Sequence, residues 1–281
     1  MKKNILLLIV LTIPCFNCPL LAQKTIKVNY LYQDDTGFQC TSQLYIRNSE
    51  SSFRIKDTRP NGIYQPKADS IVEGDGATAV EQPYYVDNDS ISTFFFTNSQ
   101  RTFARFPYDD GKELFYQHAN SGSWQFLPDV KQIQKYACKK AKIVKNGRTF
   151  SAWYSLDIPI SQGPMRLHGL PGLIMELEEE GKYCTIHFQS IEMDTKDVTH
   201  ESIKNYVQSK KPQSYTDYEK FMMKRIVAKK VLMVNEIAKM KTQNGLDSSA
   251  EMNFIVPYSD FYGAILDLPT GINVALDKIK F

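Results

Sequence analysis

Four histidines, at 118, 168, 187 and 200, and five cysteines are the side chains best suited to chemistry near neutral pH. No two histidines stand two or four residues apart, so none forms a ready half of a metal site. His168 and His187 are candidates for a paired site, because a turn at 168 leads into a hairpin whose second strand passes through 187. Ser155, Asp157 and His168 supply the residue types of a hydrolytic triad, and Cys138 with a histidine would make a nucleophile pair. Triads are defined by geometry and roles, however, and neither G-x-S-x-G nor H-E-x-x-H occurs. Cys138 falls in an expected strand facing a core, where a thiol is inert. The sequence therefore predicts no catalytic residue and no cofactor. A hydrolase built near residues 155–187 and a Cys/His metal-handling protein stand as alternatives.

A second constellation is electrostatic. Lys131, Lys135, Lys139, Lys140, Lys142, Lys145 and Arg148 follow one another with no acidic residue between 131 and 148. Phe150, Trp153 and Tyr154 come next. Cations beside aromatic rings suit an acidic partner, a lipid head group or a polyanion, and a charged strand edge that resists aggregation has the same composition. Arg148, Phe150, Trp153, Tyr154 and His168 are the candidate ligand-binding residues. The acidic turns "VDNDS" (86–90) and "YDDG" (108–111) lack the spacing of a calcium loop.

The elements that must position these groups read as strands. Ile26, Val28, Tyr30 and Tyr32 alternate on one face of residues 25–32, and Leu44 and Ile46 are inward positions of the next strand. "ISTFFFTN" (91–98) is a buried strand, and "DDG" at 109–111 joins a hairpin. Trp124 and Phe126 stand at period two. Asn146-Gly147 between two alternating runs is the strongest hairpin signal. Residues 59–83, with three prolines and three glycines, read as a long surface excursion. After residue 200 the pattern turns helical. A short helix covers 201–209, and Thr216 with Glu219 forms a capping box for a helix from about 217 to 241, stopped near Asn244-Gly245. Its apolar residues follow no narrow stripe, so it either meets protein on more than one side or is shorter. The tail from 253 is irregular, with one strand at "INVAL".

Within "HGLPGLIMELEEEG" (168–181), Leu170-Pro171-Gly172-Leu173 fits a type II turn, with proline setting the first φ and Gly172 taking a positive φ at the second. Leu173, Met175 and Leu177 then share one face of a strand and Glu176 and Glu178 the other. "YCTIHFQSI" returns with Cys184, Ile186 and Phe188 inward. The glycines open a strand rather than a helix, which sets the stretch apart from phosphate-cradling loops.

Residues 1–22 carry Lys2 and Lys3, an apolar run from Ile5 to Ile13, and Leu20-Leu21-Ala22 before Gln23, the pattern of a secretory signal peptide cleaved near Ala22. Neither Cys15 nor Cys18 has the small residues of a lipoprotein anchor before it. The mature chain, 23–281, has 259 residues, 32 basic and 31 acidic once Lys2 and Lys3 are removed from the 34, and a net charge of +1. That balance argues against nucleic acid as a partner, and no later run is long enough for a transmembrane span. Lys278, Asp277 and Lys280 argue against a barrel-closing strand ending on Phe281. Cys40, Cys138 and Cys184 remain, enough for one disulfide and one free thiol.

Gly169-Leu170-Pro171-Gly172-Leu173-Ile174, with Gly163-Pro164 upstream and "GRTFSAWYSLDIP" before it, resembles the GLPGLI family of exported proteins from Bacteroidetes-type bacteria. The likeness covers 124–192, is looser over 25–55 and fades after 200. It departs at Glu179-Glu180, where an aspartate would be expected. The resemblance implies a cell-envelope protein and brings no settled activity or catalytic residues. The expected fold is α+β: one large, curved, half-barrel-like antiparallel sheet over 25–195, with C-terminal helices packed against it on its concave or open side, all in a single domain spanning 23–281. The expected function is non-enzymatic, holding an apolar small molecule or a peptide, or docking on an envelope protein such as a transport partner.

Overall fold

The computed structural model describes residues 24–34, 39–56, 93–108, 112–119, 122–145, 148–181, 184–193 and 198–243. The expected excursion at 59–83, the acidic turn at 86–90 and the strand at "INVAL" lie outside them. Eleven strands follow in order: β1 (Ile26–Asp34), β2 (Gln39–Arg47), β3 (Glu50–Lys56), β4 (Thr93–Thr97), β5 (Arg101–Tyr108), β6 (Lys112–Ala119), β7 (Gln125–Ile133), β8 (Tyr136–Lys145), β9 (Arg148–Ser155), β10 (Leu173–Glu179) and β11 (Cys184–Glu192). Helix α1 (Thr199–Ser209), the two-residue strand β12 (Gln213–Ser214) and helix α2 (Tyr215–Gln243) complete them. All twelve strands form one sheet in the order β12-β6-β5-β4-β3-β2-β1-β11-β10-β9-β8-β7. Every pairing is antiparallel except that of β12 with β6. The sheet is thus two meanders joined where β1 pairs with β11.

Chain length forces this sheet to curl. β6 and β7 are ten strand spacings apart in the sheet order, about 48 Å if it were flat. Yet Ala119 ends β6 and Gln125 begins β7, and six residues of chain span at most about 22 Å. The two edges must therefore approach each other. The result is an unclosed, barrel-like curl with a seam between β6 and β7, which confirms the expected large, curved antiparallel sheet with helices packed against it.

The alternation read from the sequence holds in the walls. Val28, Tyr30 and Tyr32 are buried on the concave face, paired across β2 with Leu44, Ser42 and Cys40. Phe53, Phe95 and Phe106 continue that face, with ring centroids 6.5 Å and then 5.5 Å apart. β4 is buried on both sides, as its unbroken apolar run predicts: Phe95 faces the interior, while Phe94 and Phe96 pack with Ile203 of α1 on the outside, so α1 covers the outer face rather than the expected concave or open side. The Tyr206 ring of α1 meets Phe94 and Phe115 edge-on. Arg47–Glu201 and Lys204–Glu50 ion pairs, at 2.8 Å and 2.7 Å, flank the helix.

Residues 156–172 fill part of the interior. The 3₁₀ turn Pro164–Arg166 reaches across to β3 and β4, and Met165, Leu167 and Leu170 are buried. The Leu173 amide donates to the Ile158 carbonyl at 2.9 Å, which ties the ends of this excursion together. The turn chemistry differs from the sequence expectation. Gly172 is not in the left-handed region; the positive φ falls on Gly169, at 95°. Gly172 is needed for closeness: a Cβ there would lie 2.0 Å from the Ser155 carbonyl oxygen. The strict alternation expected after it also breaks. A bulge between Ile174 and Glu176 puts Ile174 and Leu177 on one face, opposite Tyr154 and Ala152.

The cap of helix α2 lies two residues before the expected one. Ser214 is held extended by pairing with Gln117 of β6, and its hydroxyl accepts the Asp217 amide at 3.1 Å and donates to the Asp217 carboxylate at 2.7 Å. The capping pair is therefore Ser214/Asp217 rather than Thr216/Glu219. Tyr218 and Met222 are buried, and Val231 further along is 53% exposed.

Candidate functional site

The five residues expected to bind ligand do not form one site. β9 alternates, so Phe150 and Tyr154 face the interior while Trp153 faces out. Phe150 is fully buried, and the Tyr154 ring meets Phe126 at 6.2 Å. Arg148 is buried against Glu179, with a 3.2 Å ion pair. Trp153 lies under Lys131 and Lys140, whose ammonium groups stand 4.4 Å and 5.3 Å from its ring centre. Beside it, the His187 imidazole at 3.6 Å and the Lys131 ammonium at 2.7 Å hold the Glu176 carboxyl at about 2, against partial burial. His187 belongs to this outer cluster. His168 sits in the turn near Lys145 and Arg166, so the His168/His187 pair is not assembled.

The hydrolytic candidates fare no better. The Ser155 hydroxyl accepts the Asp157 amide at 3.3 Å, and among the described residues no hydrogen bond or ion pair joins either to His168. A different Ser–His–Glu array does exist. Ser52 Oγ lies 2.7 Å from His200 Nδ1, and His200 Nε2 lies 3.9 Å from a Glu50 carboxylate oxygen. Ser52, 0% exposed, lies beneath α1, and His200, 1% exposed, is on the buried side of α1 itself, so no substrate reaches the hydroxyl. The contact fastens α1 to β3. Cys40, Cys138 and Cys184 are buried and stand in no disulfide, and burial pushes the Cys138 thiol up, the inert state for that residue. Among the described residues no three His, Cys, Asp or Glu side chains are placed to hold a metal.

What the fold does bring together is a set of groups at the seam. β6 contributes Tyr116 and His118. The segment entering β7 contributes Gly122 and Trp124. Lys145 ends β8, Arg166 and His168 belong to the interior turn, and Tyr215 and Tyr218 open α2. The Trp124 indole donates to the His168 carbonyl at 2.8 Å, fastening the turn to the β7 side. Tyr116 and Tyr218 stack at 3.9 Å, and the His118 ring meets Tyr215 edge-on at 4.3 Å, fastening α2 to the β6 side. Arg166 is buried among Tyr116, Tyr215 and Tyr218. It and Met165 adopt left-handed backbone, at φ 72° and 53°, a strained pair of the kind that clusters at functional positions.

The electrostatics of the seam are one-sided. Burial, and then Arg166, bring the Lys145 ammonium down to about 8. Burial, then Lys145 and Arg166, lower His168; burial, Arg166 and Lys145 lower His118, against a hydrogen bond with the Ala119 carbonyl. No carboxylate is among the groups that shift these three. Of the residues expected from sequence only His168 belongs here, and Lys145 lies in the basic band. Tyr116, His118, Trp124, Arg166, Tyr215 and Tyr218 were missed, because only the closing of the curl makes them neighbours.

The sequence pattern of a family described as a protein of unknown function (Porph_ging) matches residues 142–176, from the end of β8 into β10. That match includes the hexapeptide and is consistent with a Bacteroidetes-type family. No curated protein matches the chain significantly. Among solved structures the chain is similar to two crystal forms of PNGF-II, at 14% and 13% identity and TM-scores of 0.41 and 0.42. These cover 63% and 68% of this chain but 30% and 31% of PNGF-II, so the chain spans under a third of that protein. It is also similar to an uncharacterized conserved protein from Thermus thermophilus, at 4% identity and a TM-score of 0.33, over 63% of this chain and 83% of that one.

Proposed function

We propose that the protein is a non-enzymatic binding protein of the cell envelope, a GLPGLI-type protein exported by its first 22 residues, which holds a small molecule or a peptide at the seam of its curled sheet. One observation carries this reading. Aromatic and cationic side chains from β6, the β7 entry, β8, the interior turn and α2 converge where the two edges of the sheet meet. Mouths and edges of curled sheets are where ligands find concave, part-apolar surface with a few polar anchors. The concave face elsewhere is partly occupied by the chain's own Met165, Leu167 and Leu170, which favours the seam over a deep apolar cavity.

The test is native mass spectrometry of the protein purified from envelope extracts, beside Tyr215→Ala and Trp124→Ala variants. The reading expects a bound species on the wild type, released on denaturation and depleted in both variants. A bare wild-type mass, or a ligand retained equally by both variants, would overturn it.

Docking on an envelope protein is the second reading. It is favoured by edge strand β7, where Phe126 and Val130 are 58% and 72% exposed and one side of the strand has no sheet neighbour among the described residues. Pro128 and the bulge between Phe126 and Val130 blunt that edge and keep this reading second.

A further inference from the structure

We propose that the seam recognises an oxyanion, a phosphate or carboxylate group on the ligand, with Lys145 as its principal anchor and His168 and Arg166 beside it. The inference deepens the binding reading above and rests on it. It begins with Lys145 itself. The side chain is half-buried at the end of β8, and no ion pair joins it to any described residue. Lysine is seldom drawn out of water without a counter-charge.

Its neighbours make the environment more cationic still. Arg166 is near enough to act on its charge, and His168 and His118 respond to both. Among the described residues, the acids at the start of α2 are Asp217 and Glu219. Asp217 is engaged by Ser214, and Glu219 acts on Tyr218. Tyr116 and Tyr215 also face Arg166, and burial raises the Tyr116 phenol well above its ordinary value, which keeps it neutral.

Two further observations bear on the site. The Tyr218 hydroxyl is fully buried without a well-formed hydrogen bond, although the Tyr116 phenol stacked on its ring lies near enough to act on it. A buried donor left in that state costs free energy that a ligand oxygen would recover. Gly122, at φ 117°, stands where a Cβ would come within 3.0 Å of both Lys145 Cε and Nζ. The lysine end thus packs against the β7 entry, which places its amine at the seam.

Lys145 carries three donors on a flexible stem and serves as a point charge. The aromatic rings of Trp124 and Tyr215 flank the cations and suit an organic group attached to the anion. The site matches an acidic small molecule or a peptide carboxylate on one side and a phosphorylated ligand on the other. The shared chemistry is the charged oxygen.

The experiment titrates the full mature chain by calorimetry with inorganic phosphate, acetate and the neutral isostere acetamide, in chloride-free buffers of different ionisation heat. The expected result is binding of phosphate or acetate and none of acetamide; whichever anion binds identifies the class. Lys145→Met should weaken that binding by at least about tenfold, the loss of one charged hydrogen bond, and His168→Gln should weaken it less. At pH 8 binding should also take up a fraction of a proton, because an anion raises the ammonium pKa from its present value of about 8. A purely structural lysine would give no such uptake. Unchanged affinity in a folded Lys145→Met variant, or equal binding of acetamide, would overturn the oxyanion site. If no anion binds at millimolar concentration while the copurified ligand is retained, this inference fails and the binding reading stands. If neither is seen, both fail.

Discussion

Replacing Gly172 by alanine separates two accounts of the proline–glycine corner. If glycine were there for a positive φ, alanine would cost about 1–2 kcal/mol of backbone strain. The structure assigns a different cause. The new Cβ would sit 2.0 Å from the Ser155 carbonyl oxygen and 2.6 Å from its carbon, and both are backbone that no rotamer change can move. Relief requires β9 and the start of β10 to separate by more than an ångström. That breaks the Leu173–Ser155 pairing and strains the 2.9 Å bond from Leu173 N–H to the Ile158 carbonyl. Two buried backbone groups left unsatisfied at about 1–3 kcal/mol each give a loss of about 2–6 kcal/mol. For a chain of this size that is a fall in Tm on the order of 10 °C. Gly169→Ala is the internal control. Gly169 has the positive φ, but the nearest atoms to its Cβ belong to Trp124 at 3.9 Å, so it should lose only about 1–2 kcal/mol. Urea unfolding of the two variants, followed by circular dichroism, measures both. A Gly172→Ala variant no less stable than Gly169→Ala would refute the close-approach account.

Other expectations follow from buried charge. Arg148→Met or Glu179→Leu alone should each cost about 3–5 kcal/mol by stranding the partner, and the double variant should recover most of it; a double-mutant cycle in urea decides, and additive losses would contradict the pairing. Burial holds His200 below its ordinary range. Below about pH 6.5 the unfolded chain therefore binds a proton that the folded chain refuses, and stability falls on acidification by up to about 1.4 kcal/mol per pH unit for this group. His200→Gln should remove that share of the slope, as measured by chemical denaturation from pH 7 to 5; an unchanged slope would count against a buried neutral imidazole. Glu176 titrates oppositely. Its contribution is complete above its unfolded value of 4.5 and disappears as pH falls towards about 2, so the stability gap between wild type and Glu176→Gln should close over that window and stay constant above it.

Much of the wall was legible in the sequence. The alternation of Val28, Tyr30 and Tyr32, the two-residue link between Lys145 and Arg148, and the unbroken apolar run of β4 each follow from a local rule, and the structure obeys all three. Local rules failed where a distant partner decides. Ser214 displaced Thr216 as the cap because β6 holds 213–214 extended, and Gly172 escaped its turn geometry because Ser155 lies against it. The candidate residues illustrate the same limit. Phe150, Trp153 and Tyr154 are consecutive enough to suggest one patch, yet strand alternation sends Trp153 to the opposite face. His118, Lys145, Arg166 and Tyr215 are scattered over about a hundred residues and become neighbours only because the short link from β6 to β7 draws the edges of a wide sheet together.

The claim on which the functional account depends is that ligand is held at that seam. Hydrogen exchange of the native protein, with its copurified ligand bound and after the ligand has been stripped, tests it most directly. The account predicts that stripping raises exchange at 115–119, 122–126, 143–145, 165–170 and 213–219 together, with the β1–β2 and β10–β11 amides unchanged. Protection changes confined to β7 and the outer face around Trp153, with the seam unaffected, would contradict it.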